Sequence, residues 1–147
     1  DIRTTAVAIQ ADLDKNLGVK VDLDETEWSI FLAKRSRGEL PLSFLRWAAD
    51  YLDPQNFLST MLHSRAEQNS IGYRSSEFDR LCDQADVMQD EAKRMALYRQ
   101  AERIAVDDAP WVPIYYQKDV ELWNPKLRGV DDMLMGHLPY KHAFFAP

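Results

Sequence analysis

The sequence predicts an α/β fold, and three observations predict it. The first fifty residues alternate between helical and extended patterning. Two amphipathic helical stripes follow in close succession after residue 75. Short apolar runs bounded by prolines then close the chain. Composition agrees with a packed domain: the 147 residues are 46% hydrophobic and 29% charged, too apolar for a disordered chain. No run of about 18 uncharged apolar residues could form a membrane-spanning helix. The 18 basic and 24 acidic residues leave a net charge of -6. With no Lys/Arg-dense face, that balance argues against nucleic acid as a partner. One cysteine cannot build a disulfide framework.

The first helix is expected over residues 4–17, where Ile2, Ala6, Ile9, Leu13 and Leu17 repeat at spacings of three and four. Thr4 or Thr5 can cap it, and Gly18 suits the left-handed position after it. Val19, Val21 and Leu23 alternate with Lys20, Asp22 and Asp24, as in a strand with one wet face. Asp24 with Glu27 resembles a capping box, and Trp28, Phe31 and Leu32 stripe a second helix ending near Gly38. Residues 40–49 are nearly all apolar and read as a strand buried on both faces.

Asp53 before Pro54 is a cap ahead of a first-turn proline. Phe57, Leu58, Met61 and Leu62 line the short helix that follows. Residues 63–75 read as a polar surface loop. Ser75 or Ser76 caps a helix with Phe78, Leu81, Cys82, Ala85 and Met88 on its apolar face. Asp90 caps another carrying Met95, Tyr98, Ala101, Ile104 and Ala105, and the short link predicts an antiparallel pair. Beyond Pro110, Trp111 to Tyr116 read as a strand bent at Pro113. Asp119 falls in a turn, and Val120-Glu121-Leu122-Trp123 can return beside that strand. The tail from Gly129 has no clear period.

Signatures of catalysis are missing. There is no glycine-rich phosphate cradle, nucleophile elbow or paired-histidine zinc motif. His63, His137 and His142 lack ligand spacing and read as surface or partly packed histidines, so no metal site is expected. Cys82, on an apolar stripe, reads as a small buried hydrophobe. Asp107-Asp108 and Asp131-Asp132 read as solvated surface. No catalytic residue and no cofactor is expected.

One cluster carries chemistry. Trp47-Ala48-Ala49-Asp50-Tyr51 places an acid just beyond an expected strand, between aromatic walls. In open α/β sheets, ligands bind at strand ends. A carboxylate flanked by Trp47 and Tyr51 suits a cationic group such as a peptide ammonium. The plainer alternative is that Asp50 forms a turn and Trp47 fills core.

The segment Trp47-Ala-Ala-Asp50-Tyr51-Leu-Asp53-Pro54-Gln-Asn56-Phe57-Leu58 resembles the signature of family 5 extracellular solute-binding proteins. These are the oligopeptide- and dipeptide-binding components of ABC importers. Flanking matches run from Leu17-Gly18-Val19 and Glu27-Trp28, through Tyr73 to Leu81 and Tyr98 to Ile104. They continue through Asp108-Ala-Pro-Trp-Val-Pro-Ile-Tyr-Tyr116 to Leu127-Arg-Gly-Val130. Leu52 stands where the family often has proline.

The resemblance implies a partial periplasmic-binding-protein type II lobe, a mixed sheet flanked by helices. Residues 1–62 would be an α/β unit of the second lobe, and residues 63–147 a helical pair and return strands toward the first. A missing N-terminal lobe is implied, with any signal or lipid anchor in it. The start at Asp1, without Met or leader, fits a processed chain or a piece of something longer. The implied function is binding of a peptide or other small solute for an ABC permease, at the periplasmic or extracellular face of the membrane. Asp50 would pair with the peptide ammonium, Trp47 and Ala48 would form wall and main-chain contacts, and Tyr51 would flank them. Rival expectations are a structural or interaction domain binding no solute by itself, a family member binding a sugar or nickel complex, and, least favoured, a hydrolase.

Overall fold

The computed structural model describes residues 2–118, 120, 122–130 and 140–147. Five helices and one small sheet appear in it: α1 (Ile2–Leu17), α2 (Trp28–Ser36), α3 (Leu58–Leu62), α4 (Ser76–Asp86), α5 (Glu91–Asp108), β1 (Leu127–Arg128) and β2 (Phe144–Phe145). Two 3-10 turns, Pro54–Asn56 and Tyr140–His142, precede α3 and β2. His137, the pair Asp131-Asp132, and Asp119 and Glu121 of the expected turn and return strand lie outside the described residues.

The core is where the sequence periodicity is strongest. Leu58, Met61 and Leu62 of α3 meet Phe78, Leu81, Cys82 and Ala85 of α4 and Tyr98, Ala101 and Ala105 of α5. Caps set the ends of these helices. Ser75 Oγ accepts from the Phe78 amide at 3.4 Å, and Asp90 Oδ1 from the Lys93 amide at 3.1 Å. Each satisfies one of the amides that a helix start leaves unpaired. Ala109 ends α5 in the left-handed region at φ 49°, and Pro110 prevents its continuation. The loop of residues 63–75 is irregular, as expected. Asn69 ties it together: its Nδ2 donates to the Tyr73 carbonyl at 2.8 Å and its Oδ1 accepts the Tyr73 amide at 3.1 Å.

α1 begins at Ile2, so Thr4 and Thr5 sit inside its first turn instead of capping it. It ends as expected, with Gly18 at φ +66°. The Gly18 amide donates to Asp14 and the Val19 amide to Leu13, which satisfies the last carbonyls. The expected Asp24–Glu27 capping box is replaced by Glu27 alone, whose Oε2 accepts the Ser29 amide at 2.9 Å and the Ile30 amide at 3.2 Å. α1 and α2 are formed but bury no residue.

The α/β lobe is present as a helix-rich body with a small sheet. That sheet pairs β1 and β2 antiparallel, Leu127 opposite Phe145 and Arg128 opposite Phe144. The other expected strands, 19–23, 40–49 and 111–116, run without ladder partners among the described residues. A strand needs a neighbour to take up its amides and carbonyls, and apolar alternation cannot supply one. Instead of a ladder partner, the Val21 carbonyl accepts from the Gln10 side chain at 2.7 Å. Residues 40–49 are not buried on both faces either, since Leu42 is 78% exposed. No described helix is long and apolar enough to cross a membrane.

The core predicts its own mutational asymmetry. Phe78→Ala should cost about 3–5 kcal/mol, the range for emptying a fully buried aromatic site. Ile30→Ser, on the open face of α2, should change stability by no more than about 0.5 kcal/mol. Urea unfolding of the two variants checks this, and comparable losses would mean that α2 is packed.

Candidate functional site

The cluster singled out in the sequence lies in the loop from Trp47 to Asn56. Asp53 shapes it. Its side chain accepts the Gln55 amide at 2.9 Å, with Pro54 in the first position of the 3-10 turn. The turn closes through Asn56 N–H to the Asp53 carbonyl at 3.1 Å and Phe57 N–H to the Pro54 carbonyl at 3.1 Å. That geometry carries Asn56 inward until it is 1% exposed.

A buried amide must find partners, and Asn56 finds them in the cluster. Its Oδ1 accepts the Trp47 indole N–H at 2.9 Å and the Asp50 backbone N–H at 3.3 Å. Its Nδ2 donates to Asp50 Oδ2 at 3.1 Å. Trp47 is half-buried and packs its ring on the core. Asp50, Ala48 and Tyr51 are exposed. The Tyr51 hydroxyl donates to Gln55 Oε1 at 2.6 Å. The four expected residues are therefore neighbours in one loop, with Asp50 on the solvent side and Trp47 behind it.

The loop holds two carboxylates in different circumstances. Asp53 is gripped by Arg94 of α5, Nη1 to Oδ2 and Nη2 to Oδ1, both at 2.7 Å. The Arg94 hydrogen bonds hold its carboxyl below the usual carboxylate range, against the opposing effect of burial. Arg94 is itself well placed. Its guanidinium lies 4.8 Å from the centre of the Tyr98 ring, and Nη2 donates to the Tyr98 hydroxyl at 3.3 Å. That hydroxyl donates to Asp86, which also accepts the Ser59 hydroxyl. Burial pushes the Tyr98 phenol upward, so it stays a neutral donor. Among the described residues Asp50 has no such cation. Its Oδ2 is held by a neutral amide, and among the described residues nothing hydrogen-bonds its Oδ1. This oxygen is open to a ligand donor.

The remaining candidates are structural. His63 is 7% exposed at the end of α3. Its Nδ1 accepts the Arg65 amide at 3.1 Å, and its Nε2 lies 3.3 Å from Asp83 Oδ1. His142 is exposed. Cys82 is fully buried, and burial pushes its thiol up to about 12, far from a thiolate at neutral pH. Among the described residues no group of three or more His, Cys, Asp or Glu side chains could hold a metal.

Two partners of the loop had no assigned role in the sequence reading. Asn56 stands inside the matched motif, but nothing local marks it as buried. Arg94 is 41 residues from Asp53, and its pairing is visible once α5 is packed beside the loop.

Comparison with known proteins gives this geometry a context. Residues 2–69 match the family model described as bacterial extracellular solute-binding proteins, family 5 Middle. The oligopeptide-binding protein OppA of Bacillus subtilis is 33% identical over 140 residues, 95% of this chain and 26% of that protein. The "Probable deoxycholate-binding periplasmic protein YgiS" of Escherichia coli is 40% identical over 125 residues, 85% of this chain and 23% of its own length. Among solved structures, the ABC transporter-associated periplasmic binding protein DppA from Helicobacter pylori, in complex with the peptide STSA, superposes with a TM-score of 0.69. It is 38% identical and is matched over 75% of this chain and 22% of that one.

The fold is thus that of a type II periplasmic binding protein, seen over part of a lobe. The chain belongs to family 5 of the bacterial extracellular solute-binding proteins, a family of binders. It spans about a quarter of the length of the curated relatives it matches.

The Asp53–Arg94 pair gives a pH-dependent prediction. Because the folded-state value of Asp53 is lowered, its stabilisation is complete above the unfolded aspartate value of about 3.9. It is lost as pH falls through the lower folded value. Asp53→Asn should therefore be about 2 kcal/mol less stable than the parent near neutral pH, and the gap should narrow steadily below about pH 4. Chemical unfolding at a series of pH values measures it. A gap independent of pH would mean that the ionised carboxylate does not carry the loss.

Proposed function

We propose that this chain is the part of an extracytoplasmic solute-binding protein that receives the positively charged end of a peptide. Asp50 is the anchor, accepting the peptide ammonium. Trp47 and Ala48 form the wall and main-chain edge beside it, and Tyr51 flanks the entrance. The observation that carries this reading is the contrast between the two loop carboxylates. Asp53 is neutralised by Arg94, while Asp50 is exposed and held by an uncharged amide. An ammonium leaving water requires a charged partner of this kind.

In the whole protein, residues 1–62 belong to one lobe and residues 63–147 lead back toward a second, N-terminal lobe. Hinge closure of the lobes traps the solute. The loaded protein delivers it to an ABC permease, from the periplasm or the outer face of the cytoplasmic membrane. The protein performs no chemical step and uses no cofactor. Extended peptides held through their backbones allow varied side chains.

A second reading takes a solute without an ammonium. The name of the YgiS relative favours it, since deoxycholate is an anion. A third takes this segment as an interaction domain with no solute of its own; the exposed apolar stripes of α1 and α2 favour that one. Calorimetry on the whole protein, with a tripeptide, its N-acetylated form and deoxycholate, separates them. The proposal expects the free-amine peptide to bind best and Asp50→Asn to cost about 2–5 kcal/mol of that affinity. Unchanged peptide affinity in Asp50→Asn would refute the anchor, and tighter binding of deoxycholate would favour the second reading.

A further inference from the structure

We infer that Asn56 is the positioning residue that gives this site its preference for a free amine, an inference resting on the role proposed for Asp50. A single buried side chain bonds the wall residue, the anchor's backbone and the anchor's carboxylate. Its orientation is forced by its partners. The indole and backbone N–H groups only donate, and an ionised carboxylate only accepts. Oδ1 must therefore face Trp47 and the Asp50 amide, and Nδ2 must face Asp50 Oδ2. With that oxygen occupied, Oδ1 of Asp50 is the one presented to solvent.

The amide does this without contributing charge. An arginine in its place would orient the carboxylate as Arg94 orients Asp53, but it would also neutralise it and compete with the incoming cation. An alanine would leave the indole N–H and the Asp50 amide without their acceptor. It would also free the Asp50 carboxylate to rotate, so part of the binding energy would go to ordering it. Asn56 is fixed in turn by the 3-10 turn whose cap, Asp53, is clamped to α5. Positioning of the anchor is in this way referred back to the helical core.

The consequence is one of selectivity. Asn56 acts on the peptide through Asp50, so its loss should fall on ligands that bring an ammonium and spare those that do not. The test measures the affinity ratio of a free-amine tripeptide to its N-acetylated form in the whole protein. Parent, Asn56→Ala, Asn56→Ser and Asp50→Asn are compared. Asn56→Ala should lower free-amine affinity about tenfold, the scale of one hydrogen bond to a charged group. Acetylated-peptide affinity should stay within about twofold of the parent's, which also reports an intact fold. Asn56→Ser, which keeps one acceptor, should fall between the two and serves if the alanine variant does not fold. The Trp47 indole N–H resonance should shift in both Asn56 variants. An unchanged ratio in the Asn56 variants, with a collapsed ratio in Asp50→Asn, would overturn the positioning role and leave the anchor standing. An unchanged ratio in Asp50→Asn would remove the anchor itself.

Discussion

The bidentate pair between Asp53 and Arg94 is the interaction on which the candidate site depends. The loop from Trp47 to Asn56 has little regular structure of its own. Its one turn is three residues long. What holds that turn in place is a carboxylate that caps it and also reaches α5. The guanidinium stands on the Tyr98 ring, and Tyr98 is among the most deeply buried side chains. The ion pair thus ties the loop to the α3–α4–α5 core, alongside Trp47 packed on that core and Asn56 buried beneath the loop. Both partners are partly buried, so solvent screens the pair less than it would a surface bridge.

From that fixed turn the polarity of the site follows. Asn56 is directed inward and distributes its three hydrogen bonds among Trp47 and Asp50. Two aspartates of one short motif thus acquire different roles. One is consumed by structure. The other, exposed, has no cationic partner among the described residues and one oxygen without a hydrogen bond there. A loop built for a cationic ligand needs both features, because an anchor that moved would lose affinity to ordering and an anchor already paired would lose it to competition.

The sequence revealed the helical half of this arrangement well. Spacing alone places Leu58, Met61, Phe78, Leu81, Tyr98 and Ala101 in the core, and residue type and position mark Asp53, Ser75 and Asp90 as caps. Extended segments were harder. Val19 to Leu23 and residues 40–49 carry strand-like patterns, yet a pattern specifies faces and not a neighbour, and no ladder forms there. The site was half legible. Trp47, Ala48, Asp50 and Tyr51 lie within one short run of the chain, so a local motif singles them out as candidates. Arg94 acts across the fold, 41 residues from Asp53, and Asn56 acts from inside the motif with nothing local to mark it as buried. Trp47 packs on the core and shares the Asn56 Oδ1 acceptor with the Asp50 amide.

The two aspartates divide the work, Asp53 holding the loop and Asp50 left for a ligand. Carbon-13 NMR of the side-chain carboxyls, recorded while a free-amine peptide is added to the whole protein, tests that division most directly. The Asp50 carboxyl resonance should move with saturation, and the Asp53 resonance should stay where Arg94 holds it. Movement of Asp53 with Asp50 unchanged, or binding that moves neither, would contradict that division.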